Sequence, residues 1–141
     1  MTKQKWTGVY SYDAKSLDEI PENAPTCEMH LEVDDEGGIT GQLIDSVYAN
    51  LTERIVPIGG FMEDNFLSLV AHYPFKMERK ENGEAFLDQA STDYEVPFYG
   101  ELSEDLQEMI GSCEEMTAIF EGQDKISDAL RIGFFKLKRN V

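Results

Sequence analysis

The side chains able to do chemistry in this 141-residue chain are few and scattered. His30 and His72 are the only histidines, and Cys27 and Cys113 the only cysteines. Glu28 and Glu32 flank His30 on one strand face and could supply ligands beside it, but a metal site needs three or four converging groups, and no third is in reach. A nucleophile needs an activating partner. No Gly-x-Ser-x-Gly elbow is present, and Cys113 precedes Glu114 and Glu115, whose charge raises a thiol pKa instead of lowering it. With 28 acidic residues, adjacent carboxylates arise by composition alone and carry no acid–base signal. Gly37 and Gly38 follow a strand with no Gly-Lys-Ser ending after them, so they read as turn residues and not as a phosphate cradle. The sequence therefore implies neither an enzyme nor a cofactor.

What remains is an interior. Tyr10, Tyr12, Phe66, Met77, Phe98 and Phe120 are the candidates to line a cavity, and Arg54, Arg79 or Arg131 the candidate inward charges. An arginine buried without a protein carboxylate would call for an anionic ligand, because desolvating an unpaired charge is costly. The competing reading fills the core with the aromatics and turns the arginines to solvent.

The elements that would position these residues read as strands. Trp6, Gly8, Tyr10 and Tyr12 alternate with Thr7, Val9, Ser11 and Asp13, a period of two that suits a half-buried strand. Residues 15–25 contain Pro21 and Pro25 and read as a loop with at most one helical turn. Cys27, Met29, Leu31 and Val33 share a face opposite Glu28, His30, Glu32 and Asp34. Asp35 to Gly38 then supply turn chemistry, predicting a hairpin into Ile39 to Asp45. Further strands follow at Arg54 to Met62 and, after a turn at Glu63 to Asn65, at Phe66 to Tyr73. Pro74 breaks regular pairing before Phe75 to Lys80. Asn82-Gly83 is the strongest hairpin signal, Tyr94 to Glu101 alternates again, and Ile132 to Arg139 closes the chain.

Residues 103–121 stay open between strand and helix. Leu102, Leu106, Ile110, Cys113, Thr117 and Phe120 fall at helical spacing, with Ser103 placed to cap and Gly122 to stop. Gly111 opposes a helix at a cost near 1 kcal/mol, and Met109, Gly111 and Cys113 alternate as a strand would, which tips the reading toward strand.

Together these elements predict an all-β fold, a single domain over residues 1–141 built as one antiparallel up-and-down β-barrel of eight to ten strands, with at most one short helix. A barrel of that strand number is either filled by side chains or holds one small ligand.

The opening strand, with Trp6, Gly8, Tyr10 and Tyr12, resembles that of the calycins, the group of lipocalins and fatty-acid-binding proteins. Gly38, Ile39, Gly41 and Asp45, then Ile58, Gly59 and Phe61, then Phe66 to Tyr73 and Tyr99 are similar to small lipocalin-like proteins of unassigned function. The resemblance implies a tryptophan, Trp6, at the closed end of the barrel beneath a basic residue of the last strand, Lys138 or Arg139. It does not carry fatty-acid binding over. The stretch between the first two strands is too short for a lid of two helices, and the last strand lacks the Arg-x-Tyr pair that holds a fatty carboxylate.

The net charge of −16 repels phosphate backbones and anionic membrane surfaces, so nucleic acid and membrane are not expected partners. Two unpaired thiols and a polar start without the apolar stretch of a signal peptide point to the cytoplasm. Two roles stay in play: a binding module with a small, mostly apolar ligand in its barrel, and an acidic interaction module, of inhibitor or immunity type, that docks on a basic partner.

Overall fold

The computed structural model describes residues 2–80, 84–122 and 124–140, with the side chains of Arg79 and Phe120 outside that description. Eight antiparallel strands follow in chain order around a closed barrel: β1 (Thr2–Ser11), β2 (Thr26–Val33), β3 (Gly38–Asp45), β4 (Val56–Glu63), β5 (Phe66–Arg79), β6 (Ala85–Leu102), β7 (Glu108–Glu121) and β8 (Asp124–Asn140). A 3-10 turn at Leu17–Glu19 lies between β1 and β2, and the single helical turn α1 (Ser46–Ala49) follows β3. β1 closes the wall by pairing with both β2 and β8, so that Trp6 lies opposite Met29 on one side and Arg139 on the other. The hairpin signal at Asn82-Gly83 falls outside the described residues.

The alternation seen in the sequence is the alternation of burial. Cys27, Met29, Leu31 and Val33 of β2 are all buried, and the residues between them are not. Trp6, Met29, Leu31, Leu69, Met109, Phe135 and Leu137 form the dry centre, each at most 1% exposed. Each such aliphatic side chain contributes about 1.5–3 kcal/mol relative to exposure.

The segment with two readings is strand β7. Ser103 caps a turn, not a helix: its hydroxyl accepts from Glu108 N and donates to Asp105, and Leu106 takes the left-handed conformation (φ 59°) that reverses the chain. Gly111 shows why glycine stands there. A Cβ at that position would sit 1.9 Å from the Tyr99 carbonyl oxygen and 2.8 Å from the Phe135 ring, while at the paired Gly100 a Cβ would crowd the Met109 side chain at 3.2 Å. Phe135 is fully buried above these two glycines.

Pro74 interrupts pairing without ending the strand. Tyr73 pairs with Tyr94 and Phe75 with Thr92, after which the register jumps so that Lys76 meets Asp88. Residues 89–91 of β6 bulge, held by Asp88, which accepts from Ala90 N and the Ser91 hydroxyl.

The barrel is not equally tall all round. β4 pairs with β5 only up to Ala71, β6 with β7 only over Phe98–Leu102, and β1 with β8 only from Phe134 onward. The β5–β6 and β7–β8 pairs therefore rise as two ribbons beyond the closed wall. Tyrosine hydroxyls fill in for missing strand neighbours. Tyr48 of α1 donates to Phe75 O and accepts from Phe75 N, and Tyr94 of β6 makes the same pair of bonds with Met116 of β7. A buried ion pair ties the ribbons together, with Lys76 Nζ 2.6 Å from Glu78 Oε1 and Glu78 Oε2 accepting from Ala118 N.

Candidate functional site

Where the wall thins toward the ribbons, the inward strand positions turn polar. Ile39, Leu43 and Asp45 share one parity along β3, so the carboxylate that ends the strand points where the apolar residues point. Asp45 is buried and fully engaged. Its Oδ1 accepts from the Tyr10 hydroxyl at 2.6 Å and from Val47 N and Tyr48 N, capping α1, while Oδ2 accepts from the Tyr73 hydroxyl at 3.1 Å. Four donors on one carboxylate offset the cost of removing it from water.

Around this centre lies an internal cavity of about 20 Å³. Its polar side is Tyr10, Tyr12, Tyr73, Tyr94, Asp45 and Glu115; its apolar side is Leu43, Met77, Val96 and Phe98, with both thiols, Cys27 and Cys113, in the wall. Space of that size holds about one water molecule. The tyrosines and thiols here are held in their neutral forms. Burial, reinforced by the Asp45 charge, raises the Tyr73 and Cys27 pKa values, and burial pushes Cys113 up to about 12 although a hydrogen bond to Tyr12 opposes it. Tyr12 is likewise raised, first by burial and then by Cys113 and Glu115. Thiols held this way are neither nucleophiles nor metal ligands at neutral pH.

Tyr12 and Arg131 close the mouth. Tyr12 lies just past the end of β1, outside the strand ladder, and the Arg131 guanidinium stacks 5.5 Å from its ring centroid. Arg131 also reaches Asp13 at 2.8 Å and Glu115 at 3.8 Å. This arginine is only partly exposed but has protein carboxylates as partners, so it makes no demand for an anionic ligand.

Of the residues singled out in the sequence, Tyr10, Tyr12, Met77 and Phe98 are brought together at the cavity. Phe66 is not: it is 60% exposed, because Leu67, Leu69, Ala71 and Tyr73 take the inward parity of β5 and leave the even positions outside. There, with Phe61 and Tyr99, it lines a groove of about 280 Å³ on the outer wall. Arg54 is also outside, exposed on the loop before β4 with its guanidinium over the Phe75 ring at 5.0 Å. Arg79 and Phe120 have side chains outside the description. Trp6 is 1% exposed, its indole N–H donating to Gln4; Arg139, partly buried, is its neighbour on β8, whereas Lys138 is exposed opposite Thr7.

Sequence reasoning missed Asp45, Tyr73, Tyr94 and Glu115. The signal for the first two was parity, since each continues an inward apolar series. Tyr94 and Glu115 required knowing that β6 and β7 separate beside them. His30 and His72 sit at the surface beside Glu28 and Glu95, and no group of three or more His, Cys, Asp or Glu among the described residues could hold a metal ion.

No family model matches the chain, and no curated protein matches it. Among solved structures it is similar to a rhizavidin–biotin complex, with a TM-score of 0.56 over 99% of this chain and 93% of that one at 13% identity. At that identity the likeness is one of fold, a small, closed, antiparallel β-barrel.

Proposed function

We propose that this chain is a non-enzymatic binding protein whose barrel takes a small, mainly apolar molecule ending in a hydrogen-bond-donating or positively charged group. The observation that carries this reading is the composition of the cavity wall. Two carboxylates and four tyrosines meet an apolar floor, and no lysine or arginine is among the lining residues described. An anionic end would face Asp45 and Glu115, while Arg131 at the mouth is already paired with Asp13 and Glu115, so the site opposes a negative group. An ammonium or amide end would meet acceptors. Glu115 is the anchor in this reading: it lines the cavity, and a cationic end would share it with Arg131, 3.8 Å away.

With only about 20 Å³ inside, the present state is the closed one. Entry requires Tyr12 to swing outward, breaking its stacking on Arg131. Its position beyond the last ladder bond of β1 lets it do so without disturbing the wall. The closed population lowers apparent affinity by the fraction of molecules open. Support also comes from the likeness in fold to a rhizavidin–biotin complex, and from wall groups that stay protonated and so offer no nucleophile. The buried, unpaired cysteines fit a reducing, cytoplasmic setting.

The test compares matched pairs, benzylamine with benzoate and phenethylamine with phenylacetate, by thermal shift and native mass spectrometry. A ligand at about ten times its Kd adds about 1.4 kcal/mol. The amines should stabilise the protein and the carboxylates should not, and Tyr12→Ala should strengthen the amine effect by removing the closed state. Stabilisation by the carboxylates alone, or no response to any member in wild type and Tyr12→Ala, refutes the reading.

A further inference from the structure

The outer wall carries three exposed aromatic rings that the cavity does not use, and strand register sets them around one small residue. On the outward face Phe61 of β4 pairs with Ser68 of β5, and Ser68 pairs with Tyr99 of β6. In the next outward row Glu63 pairs with Phe66, and Phe66 with Glu101. Phe61, Phe66 and Tyr99 are 55%, 60% and 48% exposed, and all three line the groove of about 280 Å³ on that wall. Neighbouring strands lie about 4.8 Å apart, so Phe61 and Tyr99 stand about 10 Å apart across Ser68, and a group centred over Ser68 is about 5 Å from each. Phe66, the next outward residue along β5, closes one end of this slot. Large apolar side chains gathered on a solvated strand face mark a contact surface.

The charge at the slot is of one sign and is not spent elsewhere. Glu63 and Glu101 flank Phe66, and Asp64 follows in the β4–β5 turn. The ion pairs among the described residues do not include these three carboxylates. The described lining of the groove holds no lysine, arginine or histidine, and the base in the row of Glu101 is Lys136, on the far side of Ile110. Aromatic faces with carboxylates beside them select a cation, which the rings attract within about 6 Å. A guanidinium meets both features at once, since its flat face stacks on a ring while its N–H donors reach a carboxylate in pairs. A quaternary ammonium stacks but cannot donate, and the ammonium of lysine is a compact, strongly hydrated charge that stacks less well. Pockets for free small molecules bury about 70–90% of the ligand, whereas rings this exposed leave one side of the slot open, which suits a side chain projecting from a partner's surface. Laying this face on its own copy would bring Glu63, Asp64 and Glu101 of both molecules together, and like charge at close range opposes that pairing.

We propose that the slot between Phe61 and Tyr99 receives an arginine side chain of a partner protein, its guanidinium held over Ser68 by the aromatic rings and by Glu63 and Glu101. The site lies on the outer wall and is independent of the barrel interior.

The probe is a short peptide with one arginine among glycine and serine residues, titrated into isotope-labelled protein and followed by backbone amide shifts in NMR spectra. Matched peptides carry citrulline, lysine or trimethyllysine at the same place; citrulline keeps the flat shape and loses the charge. The arginine peptide should shift the amides of Phe61, Ser68, Tyr99 and Glu101 to saturation, and the other three peptides should bind about fivefold more weakly or less. Phe61→Ala/Tyr99→Ala and, separately, Glu63→Gln/Glu101→Gln should each weaken the arginine peptide by about fivefold or more, with Trp6 fluorescence showing that the barrel remains intact. The proposal is overturned by equal binding of the citrulline peptide, by tighter binding of the trimethyllysine peptide, or by full affinity in either double variant. It is overturned as well if these amides do not move with peptide, or if they move with protein concentration alone, which would make a second copy the occupant. Ligands of the interior would shift the amides of Tyr10 and Cys113 instead, so failure of one site is distinguishable from failure of the other.

Discussion

Asp45→Ala is the substitution whose cost follows most directly from the structure. The side chain is 6% exposed and serves three partners at once: the Tyr10 hydroxyl, the Tyr73 hydroxyl and the N-terminus of α1. Alanine leaves two tyrosine hydroxyls without their acceptor, at about 1–3 kcal/mol for each buried group. Losing the cap adds about 1 kcal/mol. The vacated volume joins a cavity that already has room for a water, and a water reaching both hydroxyls would hold the cost at the lower end, so about 3–5 kcal/mol is expected. That is a large part of the 5–15 kcal/mol typical of a whole domain. Trp6, the only tryptophan and fully buried, reports unfolding in a urea titration by fluorescence. The decisive comparison is the triple variant Asp45→Ala/Tyr10→Phe/Tyr73→Phe. Without orphaned hydroxyls it should be about 1–2 kcal/mol more stable than Asp45→Ala alone, a non-additivity expected only of groups that share one carboxylate. A cost below about 1 kcal/mol for Asp45→Ala, or a triple variant less stable than the single one, would refute the assignment of Asp45 as the organising acceptor.

Glu78→Ala removes the partner 2.6 Å from Lys76 and should cost about 3 kcal/mol, because a buried ammonium is left with Asp128 at 3.7 Å and the Tyr94 ring at 5.4 Å; Lys76→Met/Glu78→Gln, which keeps an acceptor for Ala118 N, should lie nearer wild type in the same titration. Gly41→Ala places a Cβ 1.9 Å from the His30 carbonyl oxygen and should cost about 2 kcal/mol or more, seen as a lower Tm. For pH dependence the sign follows from raised pKa values. Cys113, with an ordinary value of 9.0, is pushed up to about 12 in the fold and Tyr94 from 10.0 to about 12, so the folded state holds these protons longer than the unfolded chain. Their contribution is whole below pH 9 and is lost as pH climbs toward 12. Urea midpoints should therefore fall over that interval, and a flat profile there would contradict the burial of these groups.

The strands that stand with one face in the core were legible because burial writes a period of two into them: Trp6 to Ser11, Cys27 to Val33 and Ile132 to Arg139 read as strand from residue type alone, while Tyr12, carried along by the same alternation, falls just past the end of β1. The parts of β6 and β8 that form the ribbons were not, since residues such as Asp88 to Thr92 or Asp124 to Asp128 are solvated on both faces and show no alternation to read. Residues 103–121 carry both periods, and what decides between them is remote, the Tyr99 carbonyl and the Phe135 ring on the two neighbouring strands, which leave room only for glycine at position 111. The candidate site divides in the same way. Tyr10 and Phe98 follow from parity, and parity applied strictly would have exchanged Phe66 for Leu67 and added Asp45 and Tyr73; choosing by aromatic character instead put Phe66 inside. Glu115 and Tyr94 belong to a different class of information. Their place at the cavity depends on where the β6–β7 pairing stops, just above Phe98 and Cys113, beyond which the Tyr94 hydroxyl takes the backbone bonds of Met116. A polar cup at one end of an otherwise apolar barrel is thus a consequence of strand lengths that do not match.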